Sequence, residues 1–151
     1  MSLEDEIGML ARLPVLSDLD EEALRVLAFS TDTRTLVTGE TLTRRGYRSE
    51  GGFFVLSGSL ALFRTEYEDS SIMVVGTGGL LGEMAMIAVT ENPVTAIARE
   101  PTTVLRIPRA LFQRVLREYP GSAARLRQSI ENHLTAFMSE LDQLRHKPHE
   151  N

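Results

Sequence analysis

Cysteine is absent from the 151 residues, which excludes disulfides, Cys-zinc sites, iron–sulfur clusters and thiol nucleophiles. The three histidines, His133, His146 and His149, all lie near the chain end. No cluster of imidazoles can therefore converge inside an upstream β structure, and a His-based metal centre is not expected. No run approaches the ~18 uncharged apolar residues that a membrane span requires. The opening MSLEDEIGML is acidic, where a secretory signal is basic. These absences point to a metal-free domain in the cytoplasm, with no membrane segment.

What is present is ordinary for a globular chain. Apolar residues make up 42% and charged residues 25%, values that argue against disorder and coiled-coil-only sequences. The length suits one core. A net charge of -5 opposes general attraction to phosphate backbones. Residues 99–127 nevertheless concentrate arginine, while the first 30 residues carry Glu4, Asp5, Glu6, Asp18, Asp20, Glu21 and Glu22. The two ends are expected to be solvated or mutually facing helix surfaces rather than a nucleic-acid footprint.

Three zones succeed one another within a single domain over residues 1–145, followed by a polar tail, 146–151. Residues 1–30 read as helical. Ile7, Leu10 and Leu13 share one face, and Pro14 interrupts it. Ser17 or Asp18 is placed to cap a second helix in which Leu24, Leu27 and Ala28 form the buried stripe. Residues 31–107 lose the helical period and become β-branched segments separated by glycine, as in GGFFVLSGSLALFR and TTVLRIP, the pattern of a β-sandwich or barrel. Within them GEMAMIAV reads as a short helix at 83–88. Residues 108–145 return to helix. Leu111, Val115 and Leu116 face inward, Pro120 ends that helix, and a longer one runs from about Ser122 to Leu144. Its apolar positions Ile130, Leu134, Phe137, Leu141 and Leu144 alternate steps of four and three, which marks a coiled-coil seam and predicts a homodimer.

The order of these parts resembles the cyclic-nucleotide-binding domain, the sensor half of Crp/Fnr-type regulators. The residues that carry the resemblance are FFVLSGSLALF, GGLLGEMAMI and TAIARE followed by TTVLRIPRALFQRVLREYP. It implies a mainly β jelly-roll (double-stranded β-helix) barrel, with helices before it and a long dimerisation helix after it. It also implies a non-catalytic regulatory role with a small anionic ligand, a cyclic nucleotide, and no other cofactor. The ligand-binding set carried over is Gly82, Glu83, Met84, Ala85, Val94, Thr95 and Ala96. In the resemblance a short helix points free N–H groups at the cyclic phosphate, Gly82 permits close approach, Glu83 accepts from the ribose hydroxyl, and Thr95 contacts the phosphate.

Two departures qualify that expectation. The family places an arginine just before the Thr-Ala pair, and here the position is Val94, or Pro93 with a one-residue shift of the loop. Loss of one partner from a buried charge pair costs ~2–5 kcal/mol, enough to move a micromolar site to roughly the tens-of-micromolar or millimolar range. Arg99 is the nearest basic residue that follows. On the last helix, Phe137 and Met138 fall where family members read the base, with Thr135 and Ser139 beside them. A barrel that keeps the fold and dimer helix but has dropped the ligand is the rival reading, its output partner being unspecified. A sensor fragment of a transcription regulator is another. The chain stops where the family's DNA-binding module begins, so direct DNA recognition is not expected of these residues.

Overall fold

In the computed structural model, which describes residues 2–13, 16–64, 71–129 and 131–132, the chain enters through α1 (Leu3–Leu10). Ser2 and Asp5 close a reciprocal capping box: Asp5 N donates to Ser2 Oγ at 3.2 Å and Ser2 N to Asp5 Oδ2 at 3.3 Å. Bonds from the Ser2 side chain and backbone hold the Asp5 carboxyl below its usual range. Ile7 and Leu10 are buried, one turn apart on the same face. A 3-10 turn (Leu16–Asp18) leads to α2 (Glu21–Ser30).

The cap of α2 is Asp20, not Ser17 or Asp18. The cause is tertiary rather than local. Asp20 N donates to Ser122 Oγ at 2.9 Å, and the Asp20 carboxylate pairs with Arg125 at 2.7 Å. Leu24, Leu27 and Ala28 are buried as their spacing predicts.

Among the described residues ten strands follow: β1 (Asp32–Leu36), β2 (Thr41–Thr43), β3 (Arg48–Ser49), β4 (Gly51–Ser57), β5 (Ser59–Phe63), β6 (Met73–Gly76), β7 (Leu80–Leu81), β8 (Thr90–Glu91), β9 (Thr95–Ala98) and β10 (Thr102–Pro108). They form two four-stranded antiparallel sheets, ordered β1-β10-β4-β7 and β2-β9-β5-β6, with β3 paired to β8. Mainly β architecture with flanking helices is thus observed, in the jelly-roll manner expected.

Alternation along β4 and β10 sorts the core in two. Phe54, Leu56, Leu105 and Ile107 face the helices and join Leu10, Leu27, Phe112 and Leu126 in one cluster. Val55 and Val104 face the other way, joining Leu36, Leu60, Leu62, Ala96 and Ala98 between the sheets.

After β10 the chain forms α3 (Arg109–Glu118). Its inward face centres on Phe112 and Val115, while Leu111 and Leu116 are only half-buried. Pro120 acts from both sides. It drives Tyr119 out of the helical region (φ -127°, ψ 72°), because the residue before proline avoids that region. It then opens a further helix over residues 120–129, since proline is well suited to a first helical position. The expected seam residues Ile130, Leu134, Phe137, Leu141 and Leu144 lie outside the described residues, as do Thr135, Met138, Ser139 and the three histidines.

Ser122 is fully buried and is the only acceptor described for the Asp20 N–H. Ser122→Ala is expected to cost about 1 kcal/mol by stranding that donor. Arg125→Ala removes an exposed ion pair and is expected to cost less than half as much. Urea denaturation midpoints of the two variants check the order.

Candidate functional site

The segment singled out in the sequence begins where β7 pairs with β4, Leu81 opposite Phe53 and Leu80 opposite Phe54. Gly82 follows with φ +84°. A Cβ there would lie 2.9 Å from the Gly51 carbonyl oxygen and 3.3 Å from Gly52 Cα. Glycine is therefore required twice, by the left-handed backbone and by contact with β4. The expected approach to a ligand is not needed to explain it.

Next comes a single 3-10 turn, Met84–Met86, in place of the helix expected over 83–88. Ala85 N donates to Gly82 O at 3.0 Å, Met86 N to Glu83 O at 3.3 Å, Ile87 N to Met84 O at 3.1 Å and Ala88 N to Met84 O at 3.0 Å. The Ala85 amide is thus committed within the turn and not held out toward an anion. A three-residue turn also lacks the run of aligned peptides from which a helix dipole is built. Glu83 is half-buried at its head, Met84 exposed, and Ala85 and Met86 buried.

The turn stays short because its carbonyls are taken from outside. Arg109 Nη1 donates to Ala85 O at 3.1 Å and Ala88 O at 3.3 Å, and also to Ser49 O at 3.0 Å. Gln113 Nε2 donates to Ile87 O at 3.3 Å. These acceptors would otherwise continue a helix. One guanidinium on the first residue of α3 therefore ties together the turn, the end of β3 and the last helices. Sequence reading missed Arg109, although a signal was there: a cation in a helix's first turn opposes the dipole and so suggests another task for the side chain.

The second half of the site is β8, the loop after it and the start of β9. Val94 packs against the inner cluster alongside Phe53, Val75 and Leu81. Ala96 is fully buried in the same cluster. Thr95 is half-buried, and its Oγ1 accepts from Arg45 N at 3.1 Å. The hydroxyl hydrogen remains able to donate. Thr43 Oγ1 donates to Val94 O at 3.2 Å and Asn92 Nδ2 to Arg44 O at 3.2 Å, so the loop after β2 clasps the loop after β8. Leu81 and Val94, which precede Gly82 and Thr95, both pack against the inner cluster. Arg99 is not part of this assembly: it stands beyond the far end of β9, about 13 Å of strand from Thr95.

Among the described residues no group of three or more His, Cys, Asp or Glu could hold a metal ion, and no helix is long and apolar enough to cross a membrane. The arginines of residues 99–127 are dispersed rather than gathered into one patch: Arg106 lies near Asp32 and Glu50, Arg109 binds carbonyls, and Arg125 meets Asp20.

The chain is thus a jelly-roll β-barrel with a glycine-glutamate turn packed against β4. Residues 33–119 match the family described as the cyclic nucleotide-binding domain, and this chain belongs to that family. The cyclic AMP receptor protein of Thermus thermophilus is 26% identical over 133 residues, covering 87% of this chain and 62% of that protein. The lysophospholipase nte1 of Neurospora crassa is 26% identical over 137 residues, but the match spans 89% of this chain and only 9% of that protein. The chain therefore spans less than two thirds of the curated relatives it matches. Among solved structures, a cyclic nucleotide-binding-like protein from Brucella abortus is 33% identical with a TM-score of 0.69, covering 75% of this chain and 98% of that one. The N-terminal domain of a transcriptional regulator from Streptomyces coelicolor A3(2) is 25% identical with a TM-score of 0.79, covering 88% of this chain and 94% of that one.

Removing the Arg109 guanidinium leaves three carbonyls without their donor. Arg109→Met is expected to destabilise the protein by about 2 kcal/mol, whereas Arg117→Met, at an exposed position of the same helix, is expected to change stability by less than about 0.5 kcal/mol. Equilibrium unfolding compares them.

Proposed function

We propose that this chain is a non-catalytic regulatory domain of the cytoplasm that takes a small anionic ligand of the cyclic nucleotide class with weakened affinity. The binding set is Gly82, Glu83, Met84, Ala85, Thr95 and Ala96, with Val94 where a cationic clamp is expected. The observation that supports it is that Leu81 and Val94, the neighbours of Gly82 and Thr95, both pack against one inner cluster; the reading sets Glu83 and the Thr95 hydroxyl toward one ligand. Glu83 can accept from a ribose hydroxyl and Thr95 can donate to a phosphate oxygen. Neither supplies positive charge, and this is the physical basis for weak binding.

A second reading has its own support. Val94 contributes apolar contact to the barrel interior, which suits a barrel that has given up its ligand and acts through protein contacts. In both readings the output passes through a homodimer seam at Ile130, Leu134, Phe137, Leu141 and Leu144. A ligand shifts that output only if it binds the two states unequally.

Calorimetry with cyclic AMP and cyclic GMP separates the readings. The sensor reading expects wild-type binding between tens of micromolar and millimolar, lost in Glu83→Ala and strengthened at least tenfold in Val94→Arg. Silence in wild type with binding gained in Val94→Arg supports the retired site. Tight micromolar binding that Val94→Arg leaves unchanged contradicts both. Gel filtration of Phe137→Glu tests the seam: a dimer converted to monomer is expected, and an oligomer of unaltered size removes the dimer from the account.

A further inference from the structure

The inner face of the first sheet changes character along its length. Leu36, Val55 and Val104 belong to the inner cluster. Two residues on, in the same period-two series, stand Arg34 on β1 and Arg106 on β10. The register sets Arg106 between Asp32 and Phe53. Arginine thus occupies positions where the alternation has been placing aliphatic side chains. With Arg48 of β3 these residues line a cavity of about 250 Å³ whose wall also includes Thr43, Glu50, Phe53 and Asn92. A neighbouring hollow shares Arg48 and Arg106.

The three guanidinium groups are loosely compensated. Arg34 contacts Glu40 at 3.3 Å. Arg106 lies 3.9 Å from Asp32 and 3.6 Å from Glu50, both carboxylates being highly exposed. These last separations exceed hydrogen-bonding distance. Among the described residues no carboxylate pairs with Arg48. Arg34 thus donates to Glu40, while the donor forks of Arg48 and Arg106 face one hollow with no described carboxylate within hydrogen-bonding distance, a geometry that matches carboxylate or phosphate oxygens. The chain's overall charge of -5 makes this concentration of cations a local feature, not a general one.

We propose that Arg34, Arg48 and Arg106 form a binding site at the mouth of the barrel for a compact polyanion bearing phosphate or carboxylate oxygens. The occupant displaces Asp32 and Glu50 from Arg106 and gives Arg48 its partner. The cavity is smaller than the roughly 300–1,000 Å³ usual for clefts that enclose larger ligands, so a compact anion is required. The site involves none of Gly82–Ala85 or Val94–Ala96 and does not depend on cyclic nucleotide binding.

Calorimetric titration of the whole chain with inorganic pyrophosphate and, separately, with citrate tests this at low salt. Submillimolar binding of at least one anion is expected, weakened tenfold or more in both Arg48→Gln and Arg106→Gln. Arg114→Gln, which removes the same charge from an exposed position of α3, is expected to bind as wild type. Pyrophosphate alone binding identifies a phosphate ligand, and citrate alone a carboxylate one. Saturating cyclic AMP is expected to leave the titration unchanged. Three outcomes overturn the proposal: no heat from either anion at about 10 mM, equal weakening in all three variants, or competitive displacement by cyclic AMP. Thermal melts establish that each variant is folded, and Arg48, on the exposed side of β3, is the substitution least able to disturb the core.

Discussion

The antiparallel pairing of β4 with β10 is the constraint on which the rest of this molecule depends. The two strands run side by side from Gly51–Pro108 to Ser57–Thr103, and each sends alternate residues to opposite sides. One side builds the cluster that receives α1, α2, α3 and the helix over residues 120–129. The other builds the cluster that closes the barrel. Phe54 and Val55, adjacent in sequence and both fully buried, serve different cores. A one-residue slip would exchange those faces, and a bulge between Thr103 and Val104 confines the register shift to the end away from Gly51.

The candidate ligand turn is a dependent of that pairing. It approaches β4 at Gly51–Gly52, and its carbonyls are held by α3, which begins one residue after β10 ends. Glycine contact on one side and the Arg109 guanidinium on the other leave the turn with few groups to offer outward. The Ala85 amide is used internally, and the position expected to carry a cation is filled by Val94, which packs against the inner cluster. On the proposed function, a ligand of the family's kind would meet Glu83 and Thr95 without the charge that would bind its phosphate tightly. Arg34, Arg48 and Arg106, on β1, β3 and β10, line a separate cavity, with Glu40, Asp32 and Glu50 beside two of them.

The β zone was legible because its information is local. FFVLSGSLALF and TTVLRIP carry a period of two with glycine at the turns, and the observed strands β4, β5 and β10 coincide with them. Stripes in α1 and α2 were legible for the same reason. What failed was decided across long separations. GEMAMIAV has helix-forming residues, but Arg109 and Gln113, more than 20 positions later, take the carbonyls that would extend the turn. The cap of α2 moved to Asp20 because Ser122, 102 residues away, accepts its N–H. Phe112 escaped notice because RALFQRVL offers two overlapping apolar faces around Val115, and only the packing of α3 into the helix-facing cluster chooses between them. Gly82 was read as permitting close approach to a sugar-phosphate, and its left-handed backbone and contact with the Gly51 carbonyl require glycine there on grounds that the sequence did not reveal.

The central claim is that the turn after Gly82 is closed on itself and held from α3 without any ligand. Amide hydrogen exchange measured residue by residue, in the absence of nucleotide, addresses it directly. Slow exchange at Ala85, Ile87 and Ala88, accelerated by Arg109→Met, is what the account predicts. Fast exchange at those three amides, slowing only when a nucleotide is added, would contradict it and return the turn to the role of an open anion cradle.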